Sequence, residues 1–215
     1  MKIGVFDSGM GGLSVANAVR NAFPADEVLF VNDSEHMPYG LKTPEQLLKL
    51  SLPLLSKMQA DGCQVIVIAC NTLTTTVISE LRNKLSVPLV AVEPMVKPAA
   101  TITQSKTIAV CATPATLQSK RYSQLKRDYA QGVCVLEPDC SNWAEMIEKN
   151  QIDSQQIADT VNSVISAGAD VIVLGCTHYH WIEEDIKKLA GDKAVVLQPE
   201  KAIIDRLART IEQLV

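Results

Sequence analysis

The segment QVIVIACNT (64–72) contains an apolar run that ends in a cysteine and is followed by polar residues. DVIVLGCTH (170–178) repeats this arrangement 106 residues later. Upstream, IGVFDSG (3–9) is echoed by IAVCATP (108–114) at a shift of 105 residues. Because the two echoes have nearly the same shift and the same order, they predict a duplicated α/β unit. Common solenoid repeats have much shorter periods.

Composition and charge narrow the class of protein. An apolar fraction of 47% and a charged fraction of 20% in 215 residues predict a globular chain with an ample core. The net charge is -4 and no basic stripe occurs, so we expect no nucleic-acid partner. No apolar run approaches the roughly 20 residues that span a bilayer, so we expect no membrane partner.

The cysteines indicate the cellular compartment of the protein. The chain has six cysteines but no CxxC pair, and Met1-Lys2 leads directly into an apolar run without a secretory signal. We therefore expect free thiols in the reducing cytoplasm. Cys63, Cys111 and Cys134 lie within apolar runs and are expected in the core.

The fold class is predicted by the alternation of elements. Short apolar runs alternate with segments of helical periodicity, which predicts an α/β fold with a mostly parallel, helix-covered sheet in each of two pseudo-symmetric lobes. The first lobe is expected at 1–98 and the second at 99–199, with a C-terminal helix, 200–215, packing back on the first. The expected active site is the cleft between the lobes.

Local signals delimit three of the predicted helices. Thr43 at the N-cap and Pro44 at the first helical position predict a helix over 43–62. A helix over 74–85 is expected after the CNT turn, and a single helix over 115–129.

Polar and reactive residues come directly after the predicted strands. Ligands of open α/β sheets bind beyond the carboxyl ends of the strands. The residues expected at this edge are Asp7, Ser8, Cys70, Asn71, Thr72, Thr113, Cys176, Thr177 and His178.

Two thiols suit proton transfer near neutral pH, because the unperturbed pKa of a cysteine is about 8.5. His178 is placed to assist Cys176, and Asp7 to play the matching part for Cys70. The hydroxyl and amide groups around them carry no fixed positive charge, which fits carboxylates held by neutral donors. A thiol on each side of a carbon predicts racemisation or epimerisation.

The chain also resembles a known family, the glutamate racemases of the cofactor-independent aspartate/glutamate racemase group. The resemblance covers about residues 3 to 208. The matching motifs, in the family's order, are FDSGMGGLSV (6–15), PYG (38–40), ACNT (69–72), EPMVKPA (93–99), ATPAT (112–116) and LGCTHY (174–179).

The resemblance implies a role for each matching residue. Cys70 and Cys176 would be the catalytic thiols, supported by Asp7, His178 and Glu148. Substrate contacts are implied for Ser8, Pro38, Tyr39, Gly40, Asn71, Thr72, Thr113, Thr116 and Thr177. The resemblance further implies no pyridoxal phosphate, no metal and a supply of D-glutamate for the bacterial cell wall.

Other functions remain open at this point. Leu73 and Thr74 stand where the family usually has small residues, which keeps a racemase of aspartate or another acidic amino acid in play. A catalytically weak relative that acts as a binding or regulatory protein is a second alternative. A metal site at Cys70, Cys176 and His178 is disfavoured because no closely spaced ligand pair supports it. The expected partner is the small-molecule substrate, and the one assembly predicted for the chain is a homodimer.

Overall fold

The structure, a computed structural model, describes residues 1–214. Residue 215, the last of the predicted helix 200–215, lies outside the described residues. The strands are β1 (Lys2–Asp7), β2 (Glu27–Asn32), β3 (Val65–Ile68), β4 (Leu89–Ala91), β5 (Thr107–Cys111), β6 (Cys134–Leu136), β7 (Val171–Leu174) and β8 (Val195–Leu197). The α-helices are α1 (Leu13–Ala22), α2 (Pro44–Ala60), α3 (Asn71–Lys84), α4 (Val96–Ile102), α5 (Pro114–Gln118), α6 (Lys120–Tyr129), α7 (Trp143–Glu148), α8 (Ser154–Ser166), α9 (Glu183–Ala190) and α10 (Glu200–Glu212).

The strands form two four-stranded sheets with the same order. The first runs β2-β1-β3-β4 and the second β6-β5-β7-β8, and every pair of neighbouring strands is parallel. This confirms the predicted α/β fold of two pseudo-symmetric lobes.

The register of the central strands reproduces the sequence echoes. Ile3 pairs with Val65 in the first sheet, and Ile108 pairs with Val171 in the second. These pairs are related by shifts of 105 and 106 residues, the shifts of the two sequence echoes. The duplication predicted from the sequence is therefore a duplication of strand pairing.

Alternate residues of the central strands fill two core layers, because successive side chains of a strand point to opposite faces. Ile66 and Ile68 of β3 pack with residues of α2 and α3 on one face of the first sheet. Val65 and Val67 pack on the other face with residues of α1 and with Leu207 of α10. The C-terminal helix thus lies on the first sheet.

Helix α4 was not predicted from the sequence pattern. Val96 and Ala99 of this helix pack with Ile108 and Val110 of the second sheet. The boundary expected after residue 98 falls inside the helix, so the chain crosses between lobes a few residues earlier.

Each of the three predicted helices differs in part from the observed structure. Thr43 is the N-cap of α2, as predicted, and forms a capping box with Gln46, although the helix ends at Ala60. Helix α3 begins at Asn71 instead of residue 74, with Cys70 as its N-cap. The single helix expected over 115–129 is wrong, because Ser119 is extended (φ -68, ψ 147) and its side chain caps a new helix by accepting from the Tyr122 N–H.

One core prediction is also wrong. Cys63 and Cys111 are buried, but Cys134 is exposed, since β6 is the outer strand of its sheet. Among residues 1–214, no helix is both long and apolar enough to cross a bilayer.

Candidate active site

The carboxyl ends of the central strands of both sheets meet at a small cavity between the lobes. The lining includes eleven predicted site residues: Ser8, Pro38, Tyr39, Gly40, Cys70, Asn71, Thr72, Thr113, Cys176, Thr177 and His178. Thr72 of the first lobe and Thr113 of the second hydrogen-bond each other at its wall, so the two lobes are in contact, which is the closed arrangement of the protein.

Cys70 lies where β3 passes into α3, and its side chain is only 4% exposed. Its Sγ is 3.3 Å from the Ser8 Oγ. Burial raises the pKa of the Cys70 thiol to about 12, and the nearby negative charge of Asp7 adds to the rise. Cys70 is therefore a neutral thiol in the closed protein.

Cys176 occupies the equivalent position after β7 and caps the 3₁₀ turn Thr177–Ile182. Its Sγ lies 3.8 Å from the Nδ1 of His178. The two thiols thus differ in their closest polar neighbour, a neutral hydroxyl for Cys70 and an imidazole for Cys176.

The imidazole of His178 is buried and tied to two groups. Its Nε2 lies 2.7 Å from the Oε2 of Glu148. Burial alone would lower the pKa of His178, but hydrogen bonds to Cys176 and Glu148 and the charge of Asp7 together raise it to about 10. His178 therefore carries a positive charge at neutral pH.

Glu148 ends α7 and does not line the cavity. The hydrogen bond from His178 lowers the pKa of this carboxyl, and further donors are the Ser34 hydroxyl (2.9 Å) and the Met10 N–H (3.0 Å). Sequence reasoning missed Ser34 and Met10, and no pattern in the sequence pointed to them.

Asp7, which the sequence pattern predicted to assist Cys70, is fully buried and makes no hydrogen bond to Cys70 in the described part of the chain. Within the described residues its hydrogen bonds come from the N–H groups of Gly12 (2.9 Å) and Gly9 (3.3 Å) and from the Thr177 hydroxyl (3.2 Å). Gly12 must lack a side chain, since a Cβ there would lie 2.3 Å from the Asp7 Cβ. Asp7 influences Cys70 through its charge, whereas Ser8 makes the contact.

Neutral hydroxyls and an amide line the other side of the cavity. The Oγ1 atoms of Thr72 and Thr113 lie 2.8 Å apart, and Thr113 also bonds Thr116 (3.1 Å). Thr116 stands behind Thr113, fully buried and outside the cavity lining. The amide of Asn71 is buried, and neither its oxygen nor its nitrogen has a hydrogen-bond partner in the described part of the chain. An unpaired buried amide that faces a cavity indicates a ligand site.

Gly40 brings a first-lobe loop against the second lobe. A Cβ at this position would lie 2.7 Å from the Thr113 Cβ, so only glycine allows this approach. Leu73, by contrast, belongs to the first-lobe core and does not line the cavity. In residues 1–214, no group of three His, Cys, Asp or Glu side chains is arranged to hold a metal ion.

Comparison with known families and proteins finds racemases similar to this chain. The model of the Asp/Glu/hydantoin racemase family matches residues 12–207. A glutamate racemase of Ralstonia pickettii is 38% identical over 97% of this chain and 76% of its own length. A glutamate racemase of Roseiflexus is 35% identical over 98% of this chain and 79% of its own length.

Solved structures of glutamate racemases also superpose on this chain. Escherichia coli glutamate racemase, crystallised with L-glutamate and an activator, UDP-MurNAc-Ala, superposes with a TM-score of 0.91 at 26% identity, over 98% of this chain and 82% of the other. The Thermus thermophilus enzyme, in complex with β-chloro-D-alanine, gives a TM-score of 0.78 at 27% identity, over 99% and 80% of the two chains.

Proposed function

The chain belongs to the Asp/Glu/hydantoin racemase family, and on that premise we propose that it is a glutamate racemase that interconverts L- and D-glutamate. The observation that carries the proposal is the pair of buried thiols, Cys70 and Cys176, that line one cavity from equivalent strand ends of two lobes. A pair of thiols on opposite sides of a carbon can remove a proton from one face and return one to the other without movement of the base or the substrate.

In the proposed reaction one thiolate removes the α-proton of glutamate and the opposite thiol donates its own proton to the other face. The Cα–H bond breaks, a new Cα–H bond forms, and the two sulfur atoms exchange protonation states. One proton is taken up and one is returned, so the protons balance without an external donor or acceptor.

The two thiols have unlike surroundings. Burial keeps Cys70 protonated, since its pKa is about 12. The Sγ of Cys176 instead lies 3.8 Å from the charged imidazole of His178. These surroundings suit Cys70 as the proton donor and Cys176 as the proton acceptor for the L enantiomer, the direction that the family resemblance implies.

Neutral donors are proposed to hold the carboxylates of the substrate. The N-terminus of α3 points at the cavity with the free amide of Asn71 and the hydroxyl of Thr72. Helix N-termini and neutral donors stabilise anions without a compensating cation. Thr113 offers a hydroxyl from the opposite lobe.

The known relatives narrow the substrate. The Escherichia coli racemase was crystallised with L-glutamate, and the Thermus thermophilus racemase with an amino acid that carries a β leaving group. The case for aspartate rests on Leu73, and this side chain lies in the core instead of the cavity. That feature therefore gives no support to an aspartate racemase.

The proposal extends to the metabolic role, the cellular compartment and the oligomeric state of the protein. D-glutamate made by this enzyme would supply the bacterial cell wall. The six free cysteines fit the reducing cytoplasm. A homodimer stays a prediction.

The test is to follow the loss of circular dichroism of L-glutamate in the presence of the purified protein, with no added cofactor. The signal should decay to zero, because the two enantiomers are equally stable. Activity should survive dialysis against a chelator. Racemisation of aspartate but not glutamate would refute glutamate as the substrate. A constant circular dichroism signal with both amino acids would refute the proposed function.

A further inference from the structure

The carboxylate of Glu148 joins the two lobes. Glu148 and His178 both belong to the second lobe, yet two other donors to this carboxylate come from the first. The Ser34 hydroxyl donates to Oε1 at 2.9 Å, and the Met10 N–H donates to Oε2 at 3.0 Å. The carboxylate is therefore fully hydrogen-bonded only when the lobes are in contact.

Ser34 is held so that its proton points at Glu148. It opens the 3₁₀ turn Ser34–His36 just after β2. The side-chain amide of Asn32 donates to the Ser34 Oγ at 3.1 Å, which leaves the hydroxyl proton for the carboxylate. The side chain of Glu148 is 18% exposed and Ser34 is exposed, so this bond lies at the solvent-facing edge of the carboxylate.

The charge of His178 depends on the groups that face it. These are Cys176 at Nδ1, Glu148 at Nε2, Asp7 from β1, and the neighbouring imidazole of His180. Glu148 accepts both a side-chain donor and a backbone donor from across the cleft. Asp7 accepts the Thr177 hydroxyl from across it, and His180 meets the Ser14 hydroxyl. Anything that moves the Glu148 carboxylate changes the support for a protonated His178.

The geometry points to Ser34 as a positioning residue, which fixes the orientation of the Glu148 carboxylate against His178 while the lobes are in contact. This inference rests on the proposed function. Parting of the lobes would break the bonds of Glu148 to Ser34 and Met10, while its bond to His178, within one lobe, would remain.

Two readouts test the inference in the full chain. The first is ¹⁵N NMR of the histidine side chains, which is tractable because the chain has three histidines. The second is the pH profile of kcat/KM for glutamate. Ser34→Ala should lower the titration midpoint of His178 by roughly 0.5–1 pH unit, because the Glu148 carboxylate is then held less firmly against Nε2 and stabilises the imidazolium less. The kcat should fall about tenfold, and Ser34→Thr, which keeps the hydroxyl, should restore both values.

A matched control is Ser14→Ala. The Ser14 hydroxyl also meets a second-lobe histidine, since its Oγ lies 3.2 Å from the Nδ1 of His180, but it does not touch Glu148. This variant should leave the midpoint of His178 in place. Glu148→Gln should shift it further than Ser34→Ala does.

The outcomes separate the inference from the proposed function. A wild-type midpoint and pH profile in Ser34→Ala, with a shift in Glu148→Gln, would overturn the role of Ser34 alone. An equal shift in Ser14→Ala would show a general effect of loosening the lobes and would also overturn it. A wild-type protein without racemase activity would refute the proposed function, whereas the NMR midpoints would still report on Ser34.

Discussion

Thr72 of the first lobe and Thr113 of the second share a hydrogen bond, with their Oγ1 atoms 2.8 Å apart at the wall of the cavity. The bond joins residues that come after β3 and β5, so it exists only because parallel strands of both sheets end at the same cleft. A carboxylate between these hydroxyls would take both as donors and replace their contact with each other.

Thr72→Val should raise the KM of glutamate about 10- to 100-fold in both directions. Valine keeps the shape but removes a donor to a charged group, at a cost of roughly 1.5–3 kcal/mol. Initial rates measured from each enantiomer provide the check. Thr76→Val is the matched control, since the Thr76 hydroxyl bonds inside α3 to the carbonyl of Thr72. An unaltered KM in Thr72→Val would rule out this hydroxyl as a substrate donor.

Cys70→Ala and Cys176→Ala should each lower the rate of racemisation by about 10²–10⁴-fold, because each removes one of two proton carriers. Each surviving thiol should still remove the α-proton of one enantiomer of β-chloroalanine with loss of chloride. The family resemblance assigns the D enantiomer to Cys70 and the L enantiomer to Cys176. Chloride release from each enantiomer is the measurement.

Cys134→Ala is the control for the thiol variants, because Cys134 is exposed on the outer strand β6. It should racemise glutamate like the wild type. A single variant of Cys70 or Cys176 that keeps close to the wild-type rate would disprove the two-thiol mechanism.

Asn71→Ala should weaken substrate binding without loss of stability. Both polar atoms of the buried Asn71 amide lack partners in the described residues, and such groups cost roughly 1–3 kcal/mol each. Removal of the amide should therefore leave the melting temperature equal or higher, while the KM of glutamate rises. Alanine also has the better helix propensity in α3.

Thr74→Val is the matched control for this variant. The Thr74 hydroxyl is likewise buried and unpaired among the described residues, but it does not line the cavity. It should raise the melting temperature and leave KM unchanged. A lower melting temperature in Asn71→Ala would show that the amide stabilises the free protein, contrary to the proposed role in binding.

Stability should depend on pH through His178. Its pKa is about 10 in the folded protein and about 6.5 when unfolded. A raised pKa means that the folded state keeps a proton which the unfolded state releases. The contribution is complete below about pH 6.5 and is lost as the pH rises towards 10.

Between about pH 6.5 and 8.5 the free energy of unfolding should therefore fall by up to about 1.4 kcal/mol per pH unit from this group. Urea denaturation under reducing conditions measures the slope. His178→Gln should have a flatter profile in this window, and an unchanged slope would contradict a charged His178.

The sequence carried enough information to place most of the cavity. Cys70, Cys176 and their neighbours could be predicted because each apolar run ends in polar residues, and parallel strands bring such ends together. Pro38, Tyr39 and Gly40 came only from the family resemblance, since their loop has no periodic signal.

Other features depended on contacts between distant segments. Ser34 and Glu148 are 114 positions apart in the chain, and the sequence around neither residue predicts the hydrogen bond between them. Thr177 was expected to bind the substrate through its hydroxyl, but that hydroxyl donates to Asp7. The exposed Cys134 and the break at Ser119 have local causes, an outer strand and a capping serine, which hydrophobic periodicity does not detect.

The bonds between the lobes have a kinetic consequence. Thr72 bonds Thr113, and Ser34 and Met10 donate to Glu148, so these bonds should break when the lobes part to admit glutamate. If parting of the lobes is slower than binding, the observed rate of association should level off at high substrate concentration, at the rate of opening. The same limit should then apply to departure of the product, so the residence time of the ligand would be set by the rate of opening.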